Sequence, residues 1–303
     1  MRILLTGGAG YLGGSVIDAV RNDGHEVRVY DSLLYSDLYM AEVDFVRGDV
    51  RNEDALLPHL NWAEAVVWLA ALVGDAACER KKEEAKEINQ RAVACLRSNF
   101  DGRIVFPSTC SVYGKSDGLA TEAGTPLAPV SVYGQTKVAA EEAMLDSDSV
   151  IFRLGTLFGL SNRHGRFRMD LVVNAMTVKA CVDGKVIVNG GSQWRPLLHV
   201  QDAARAIVIG LTGQRGIYNL VAQNMTIDEL AGLVRAEVPG TEVERATDAQ
   251  DVVDPRNYRA DGSKATNILG FLPSKPVVAG IREIRSLVRS GRLADPNSAR
   301  FMN

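Results

Sequence analysis

Leu5-Thr6-Gly7-Gly8-Ala9-Gly10-Tyr11-Leu12-Gly13-Gly14 follows directly on a short apolar strand pattern, Arg2–Thr6, and opens the first helical pattern, Leu12–Asn22. The glycines at 7, 10 and 13 are three residues apart. Without side chains at those positions the backbone turns sharply and lies close to a ligand, and the helix N-terminus favours an anion such as a pyrophosphate. Three glycines in a turn are common by themselves. Their place between a first strand and a first helix gives the spacing its weight.

Outward from this turn, β-rich runs alternate with helical ones. Strand patterns fall at Glu26–Tyr30, Val43–Arg47, Ala65–Leu69, Arg103–Ser108 and Ser149–Leu154. Helical patterns span Glu79–Ser98 and Val132–Leu145. Strands apolar throughout, separated by helices, form a parallel sheet covered on both faces. Right-handed crossovers then give an α/β fold with a doubly wound, Rossmann-type sheet. After about Thr156 the texture changes: a basic stretch, Ser161–Arg168, precedes a helical pattern, Met169–Val182, and Gly184 and Gly190-Gly191 bracket a short strand. Gly216–Val221 reads as another strand of the sheet, and two helical patterns follow Asn224. The expected organisation is a dinucleotide-binding domain over residues 1–155, re-entered at about 196–222. A smaller, mostly C-terminal substrate-binding lobe takes 156–195 and 223–303.

Composition narrows the function. Of 303 residues 46% are apolar, enough for a sizeable core, and 34 Lys+Arg against 37 Asp+Glu leave a formal charge of −3. That balance argues against a broadly basic nucleic-acid binder. The apolar run Val66–Val73 is far shorter than the ~20 residues of a membrane helix. Met1-Arg2 lead straight into the strand, which leaves no room for a signal peptide and sets a cytosolic expectation. Cys78, Cys95, Cys110 and Cys181 lack C-x-x-C spacing and read as free thiols. The four histidines are dispersed, so no metal site is expected.

Asp31 ends the second strand pattern, eighteen positions after Gly13. A carboxylate there accepts hydrogen bonds from the adenosine ribose hydroxyls and repels a 2′-phosphate, and Ser32-Leu33-Leu34 supply no cation, so NAD is expected rather than NADP. An aspartate closing a surface turn would look the same. Tyr133 and Lys137 are four apart in a helical pattern and share one face. A free phenol ionises near pH ~10, and a neighbouring ammonium together with a positively charged nicotinamide would favour the phenolate, making Tyr133 a base for a substrate hydroxyl. An ordinary surface pair has the same spacing; position after the fifth strand of a dinucleotide fold distinguishes the two. Pro107-Ser108-Thr109-Cys110-Ser111-Val112-Tyr113-Gly114 lies where parallel sheets bind ligands, so a hydroxyl here either orients the reacting oxygen or closes a turn.

Together these segments resemble the extended short-chain dehydrogenase/reductase family, specifically its NAD-dependent nucleotide-sugar epimerases and dehydratases. The resemblance is carried by Thr6–Gly13, Asp31, Gly48-Asp49-Val50, Leu69-Ala70-Ala71, Ser108–Gly114, Tyr133–Lys137, Trp194–Asp202 and Tyr258-Arg259-Ala260-Asp261. It implies that Gly7, Gly10, Tyr11, Leu12 and Gly13 hold NAD, with Asp49 and Val50 flanking the adenine and Leu69, Ala70 and Ala71 lining the cleft. It implies Thr109 as the catalytic hydroxyl, Tyr133 as the base and Lys137 as the lysine on the nicotinamide ribose. Asn174 and Arg195 fall where the family contacts a sugar nucleotide's diphosphate, and Tyr258 where a substrate-side tyrosine is common. A homodimer paired through Glu79–Ser98 and Val132–Leu145 is also implied.

Departures from the family pattern narrow the reaction. In sugar 4,6-dehydratases an Asp-Glu pair follows the catalytic Thr; Cys110 and Ser111 stand there instead. Thr156 replaces an Asn common in epimerases, and Asn89 alone represents the Asn-x-x-Gly-Thr segment. Arg163, Arg166 and Arg168 either close over a phosphorylated substrate or form a solvated loop. The leading expectation is a nucleotide-sugar epimerase working through a transient 4-keto sugar. A 4-dehydrogenase, ketoreductase or dehydratase uses the same residues, and a non-catalytic dinucleotide sensor is the remaining alternative.

Overall fold

A computed structural model describes residues 1–35, 39, 41–246, 256–293 and 295–303. The first five strands of the central sheet are β1 (Arg2–Thr6), β2 (Glu26–Asp31), β3 (Asp44–Arg47), β4 (Ala65–Trp68) and β5 (Arg103–Thr109). Ser149–Leu154 pairs with β5, and Gly216–Leu220 returns late in the chain to pair with Ser149–Leu154. All seven strands are parallel, in the order Gly216–Leu220, Ser149–Leu154, β5, β4, β1, β2, β3. The order reverses between β1 and β4, so the connections leaving their carboxyl ends diverge and open a crevice there.

The sheet is buried on both faces because both faces of its strands are apolar. On one face Ile3, Leu5, Val27 and Val29 pack under α1 (Tyr11–Asn22) and the helix Val200–Thr212. On the other, Leu4, Val66, Trp68, Ile104 and Phe106 pack under the helices Glu53–Trp62, Ala92–Asn99 and Val132–Met144. A smaller lobe builds on a three-stranded sheet of Thr156–Phe158, Trp194–His199 and Gln223–Thr226. Its own core joins the helices Val172–Asp183, Ile227–Glu237 and Val277–Arg289. Among the described residues no helix is long and apolar enough to cross a membrane.

Three element expectations are corrected. Glu79–Ser98 is not one helix: it divides into Asp75–Arg80, Lys82–Lys86, a π turn at Glu87–Arg91 and Ala92–Asn99. Lys81, at φ −131 and ψ 56, leaves helical geometry. The wider turn places Asn89 in the interior, where its side chain takes Leu72 N–H and donates to Leu72 O and Thr136 Oγ1. A π turn in a helix commonly marks a functional position. The helix expected from Met169 begins at Val172, since Arg168 and Asp170 pair with each other ahead of it, and it stops at Gly184, whose φ of +68 only glycine adopts freely. Beyond Asn224 the described residues form three α-helices, Ser263–Leu269 being the one its short pattern hid.

A buried ion pair ties together the elements that end at the crevice. Arg153 of Ser149–Leu154 donates from Nη2 to Glu141 Oε2 at 2.7 Å, with both side chains 3% exposed. Ser108 at the end of β5 hydrogen-bonds the other carboxylate oxygen, and Arg153 Nη1 donates to Tyr113 Oη. Removing one partner of such a pair leaves an uncompensated buried charge. Glu141→Ala is therefore expected to lower unfolding stability by about 3–5 kcal/mol. Urea denaturation measures this, and a loss below about 1 kcal/mol, the value of an exposed pair, would contradict it.

Candidate active site

Beyond the carboxyl end of β1 the chain turns at Gly7, whose φ is +73 and whose Cβ, if it had one, would come 2.5 Å from Ala70 N. A side chain at Gly13 would meet Gly8 O at 2.3 Å, so the first turn of α1 lies directly on the glycine-rich loop. Gly10 is the N-cap of α1 and has no side chain to satisfy the first amides. These N–H groups are available to an anion, and the positive end of the helix dipole favours one. Gly7, Gly10, Tyr11, Leu12 and Gly13 all line a cleft of about 410 Å³.

The same cleft is also lined by Asp31, Asp49, Val50, Leu69, Ala70 and Ala71. Asp31 accepts from Ala9 N at 3.0 Å and Leu33 N at 2.7 Å. Burial raises its carboxyl pKa while the two amides lower it, leaving a net upward shift. Asp49 is held low by the hydrogen bond from Arg51, which also takes part of its capacity away from any ligand. Glycine backbone against one wall, uncapped amides and a half-buried carboxylate at the end of β2 together fit an adenine dinucleotide.

Thr109, Tyr133 and Lys137 line the cleft as well. Thr109 ends β5 and its Oγ1 accepts from Ser111 N at 3.1 Å. It therefore both closes a turn and faces the cleft. Ser131 caps the helix Val132–Met144, and Tyr133 and Lys137 follow on its first turns. Lys137 Nζ donates to Pro107 O at 2.8 Å and lies 4.4 Å from the centre of the Phe106 ring. Burial brings the Lys137 ammonium down to about 8, against the opposing pull of Glu141 and Cys78.

In the chain alone the phenol lacks the nicotinamide charge on which the expectation of a phenolate rests. Burial pushes Tyr133 up, Cys78 and Asp75 add to the rise, and Arg168 is the cation that opposes it. Lys137 gives one of its N–H groups to the Pro107 carbonyl, and burial outweighs the nearby cation, so the chain alone favours the protonated phenol.

The residues expected to contact substrate sit one layer back. Asn174, Arg195 and Tyr258 are buried and are not among the lining residues. Asn174 donates to Arg168 O at 2.8 Å and accepts from Gly159 N at 2.9 Å. Arg195 donates to Arg256 O at 2.6 Å, and Tyr258 Oη lies 3.0 Å from Ser111 Oγ. Each braces a residue that does line the cleft: Arg168, Arg256 and Ser111. Of the basic stretch, Arg166 and Arg168 line the cleft, whereas exposed Arg163 donates to the His164 ring. Asp75 and Arg256 were not anticipated; they form a 2.6 Å ion pair on the cleft wall, and Asp75 also accepts from Ser131 Oγ at 2.7 Å. Only the position of Asp75 just beyond β4 hinted at this. Arg256 lies 181 positions further on, and no local pattern joins them.

Comparison with known proteins agrees with this geometry. The model of the NAD dependent epimerase/dehydratase family matches residues 3–220. A UDP-glucose 4-epimerase of Corynebacterium glutamicum is 25% identical over 301 residues, which cover 90% of this chain and 91% of that protein. A dTDP-glucose 4,6-dehydratase of Streptomyces niveus is 29% identical, with 96% of this chain and 94% of that protein covered. The solved structure of MoeE5 in complex with UDP-glucuronic acid and NAD is 26% identical, with a TM-score of 0.81 over 96% of this chain and 100% of that one.

The buried lysine gives a measurable expectation. Lys137 should titrate at about 8 in the cofactor-free protein, charged below that pH and neutral above it. An unfolded lysine titrates near ~10.4, so between these values the folded state binds fewer protons and this group makes the protein more stable as pH rises. Nuclear magnetic resonance of 13Cε-labelled lysine, with Lys137→Met to assign the signal, reads the midpoint; an unshifted value would contradict it.

Proposed function

The chain belongs to the NAD dependent epimerase/dehydratase family, and on that basis we propose that it is a nucleotide-sugar epimerase, inverting one carbinol centre through a transient 4-keto sugar. One observation carries this reading. The cleft joins Thr109, Tyr133 and Lys137 to the glycine turn and Asp31, yet no carboxylate follows Thr109 to drive elimination. Cys110 is buried with its thiol donated to Arg153 O, and Ser111 is bonded to Tyr258. Asp75, a carboxylate that lines the cleft with Tyr133, is engaged by Ser131 and Arg256.

The residues divide the work along the cleft. The glycine turn and the first amides of α1 hold the cofactor's pyrophosphate, and Asp31 takes the adenosine ribose hydroxyls and disfavours a 2′-phosphate. Lys137 holds the nicotinamide ribose. The chemistry that bound NAD supplies is reversible hydride acceptance beside a positively charged ring. Tyr133 takes the proton from the sugar hydroxyl at Oη, and Thr109 orients the reacting oxygen toward it. The cationic side chains Arg168 and Arg256 suit the diphosphate of the substrate. Wall contacts that exclude water protect the keto sugar while it turns over.

Tyr133→Phe is expected to cut turnover roughly 10²–10⁴-fold while the protein still binds NAD. The assay is product stereochemistry by NMR after incubation with a panel of nucleotide sugars. Full activity in the variant would remove Tyr133 as base. NADH accumulating in step with product would replace epimerisation by 4-dehydrogenation. We further propose a homodimer paired through the helical stretch 75–99 and the helix Val132–Met144, so sedimentation equilibrium should return twice the 32.8 kDa chain mass; a monomer at micromolar concentration would contradict this.

A further inference from the structure

Tyr133 stands second in the helix Val132–Met144, at the end where a helix is least constrained, while the Glu141–Arg153 pair holds that helix further along. First-turn amides have no preceding turn to bond to, and helix ends fray, so the placement of this turn depends on what holds its cap. Ser131 Oγ accepts from Gly134 N at 3.2 Å and donates its own proton to Asp75 Oδ1 at 2.7 Å. The cap is thus tied to a carboxylate on another element.

Asp75 opens the short helix Asp75–Arg80, and its Oδ2 meets Arg256 Nη1 at 2.6 Å. The two side chains are 27% and 30% exposed, so the pair adds modest stability and chiefly fixes a position. Arg256 is held in turn. Its carbonyl accepts from Arg195 Nη1 at 2.6 Å, and Asn257 Oδ1 accepts from Trp194 N at 2.9 Å. One residue further, Tyr258 Oη lies 3.0 Å from Ser111 Oγ, and Ser111 N donates to Thr109 Oγ1. Arg256 therefore connects to the cap of the base helix, and Tyr258 to the residue bonded to the cleft hydroxyl.

We propose that Asp75 is a positioning residue for the base: it fixes the first turn of the tyrosine helix, through Ser131, to the smaller lobe, through Arg256. This role rests on the epimerase reading above, in which Tyr133 takes the sugar proton. It adds the contact that keeps the phenol in register with Thr109. Register matters because a misplacement of about 1 Å at a reacting group costs as much as 10²-fold.

The test is turnover by NAD-loaded protein with each UDP- and dTDP-sugar of the panel, kcat and KM being read separately and folding checked by thermal melting. Asp75→Ala is expected to lower kcat roughly tenfold to a hundredfold without raising KM. Ser131→Ala should lower kcat in the same way. The double variant should be no slower than Asp75→Ala, because the two side chains form one link. Ser131→Thr keeps a capping hydroxyl and should stay within about twofold of native.

The pH profile separates this role from a folding defect. Asp75 and Cys78 on the short helix and Tyr258 on the lobe oppose ionisation of Tyr133, whereas Arg168 favours it, and Lys137 lies one turn along the same helix. Loss of Asp75 should therefore move the acid limb of kcat to lower pH while the plateau falls. Ser131→Ala should lower the plateau and leave the limb in place. A partly unfolded protein loses amplitude and moves no limb. Should Asp75→Ala fail to fold, Ser131→Ala carries the same plateau expectation by itself.

Native kcat in folded Asp75→Ala or Ser131→Ala, with Tyr133→Phe inactive, would overturn the positioning role alone. A raised KM at native kcat would overturn it too and assign Asp75 to substrate binding. Losses that multiply in the double variant would show two separate effects and end the proposed link. Full activity in Tyr133→Phe, or a native protein that turns over no sugar of the panel, would instead sink the epimerase reading, and this role with it.

Discussion

The reaction end of the cleft depends on a charge pair that solvent never reaches. Glu141 and Arg153, each 3% exposed, are stable in the interior only because each satisfies the other and because Ser108 and Tyr113 occupy the remaining bonding positions. The pair joins the tyrosine helix to the strand Ser149–Leu154, and Ser108 adds β5. The ends of those three elements carry Tyr133 and Lys137, Leu154 to Leu157, and Thr109. One buried contact thus sets the relative positions of base, lysine, hydroxyl and cleft floor, and the same carboxylate opposes the loss of charge at Lys137 one helical turn away.

Electrostatically the two ends of the cleft differ. At the glycine turn the attraction for an anion comes from backbone amides, which need no counter-ion and do not titrate. At the reaction end the groups titrate, and burial moves both toward neutrality: Tyr133 upward and Lys137 down to about 8. Such groups respond strongly to a charged ligand, since a nearby charge in a poorly solvated site meets little screening. The chain alone holds a phenol that burial favours as protonated and a lysine poised to change charge near pH 8.

A layered arrangement also accounts for the residues that the sequence placed on the substrate side. Asn174, Arg195 and Tyr258 each hold a lining residue, and a side chain that orients another affects the site without touching its contents. The Asp75–Arg256 pair closes the wall between the loop beyond β4 and the residue that precedes the strand Asn257–Ala260, so the cleft is finished by residues from both parts of the chain.

Much of this was legible in the chain itself. Strand periodicity, glycines at 7, 10 and 13, Asp31, and the four-residue interval between Tyr133 and Lys137 are local features, and local steric and hydrogen-bonding rules act on them before any folding is complete. They determined the parallel sheet, the family and both ends of the cleft. Tertiary structure alone decided what depends on distance through space: the break at Lys81 and the inward turn of Asn89, the second-layer places of Asn174, Arg195 and Tyr258, and the separation of Arg166 and Arg168 from Arg163. It also decided the protonation of the phenol. Desolvation is a property of the packed surroundings, and the lysine that sequence spacing sets beside Tyr133 gives one of its hydrogen bonds to the Pro107 carbonyl, a partner thirty positions away that only the fold brings near.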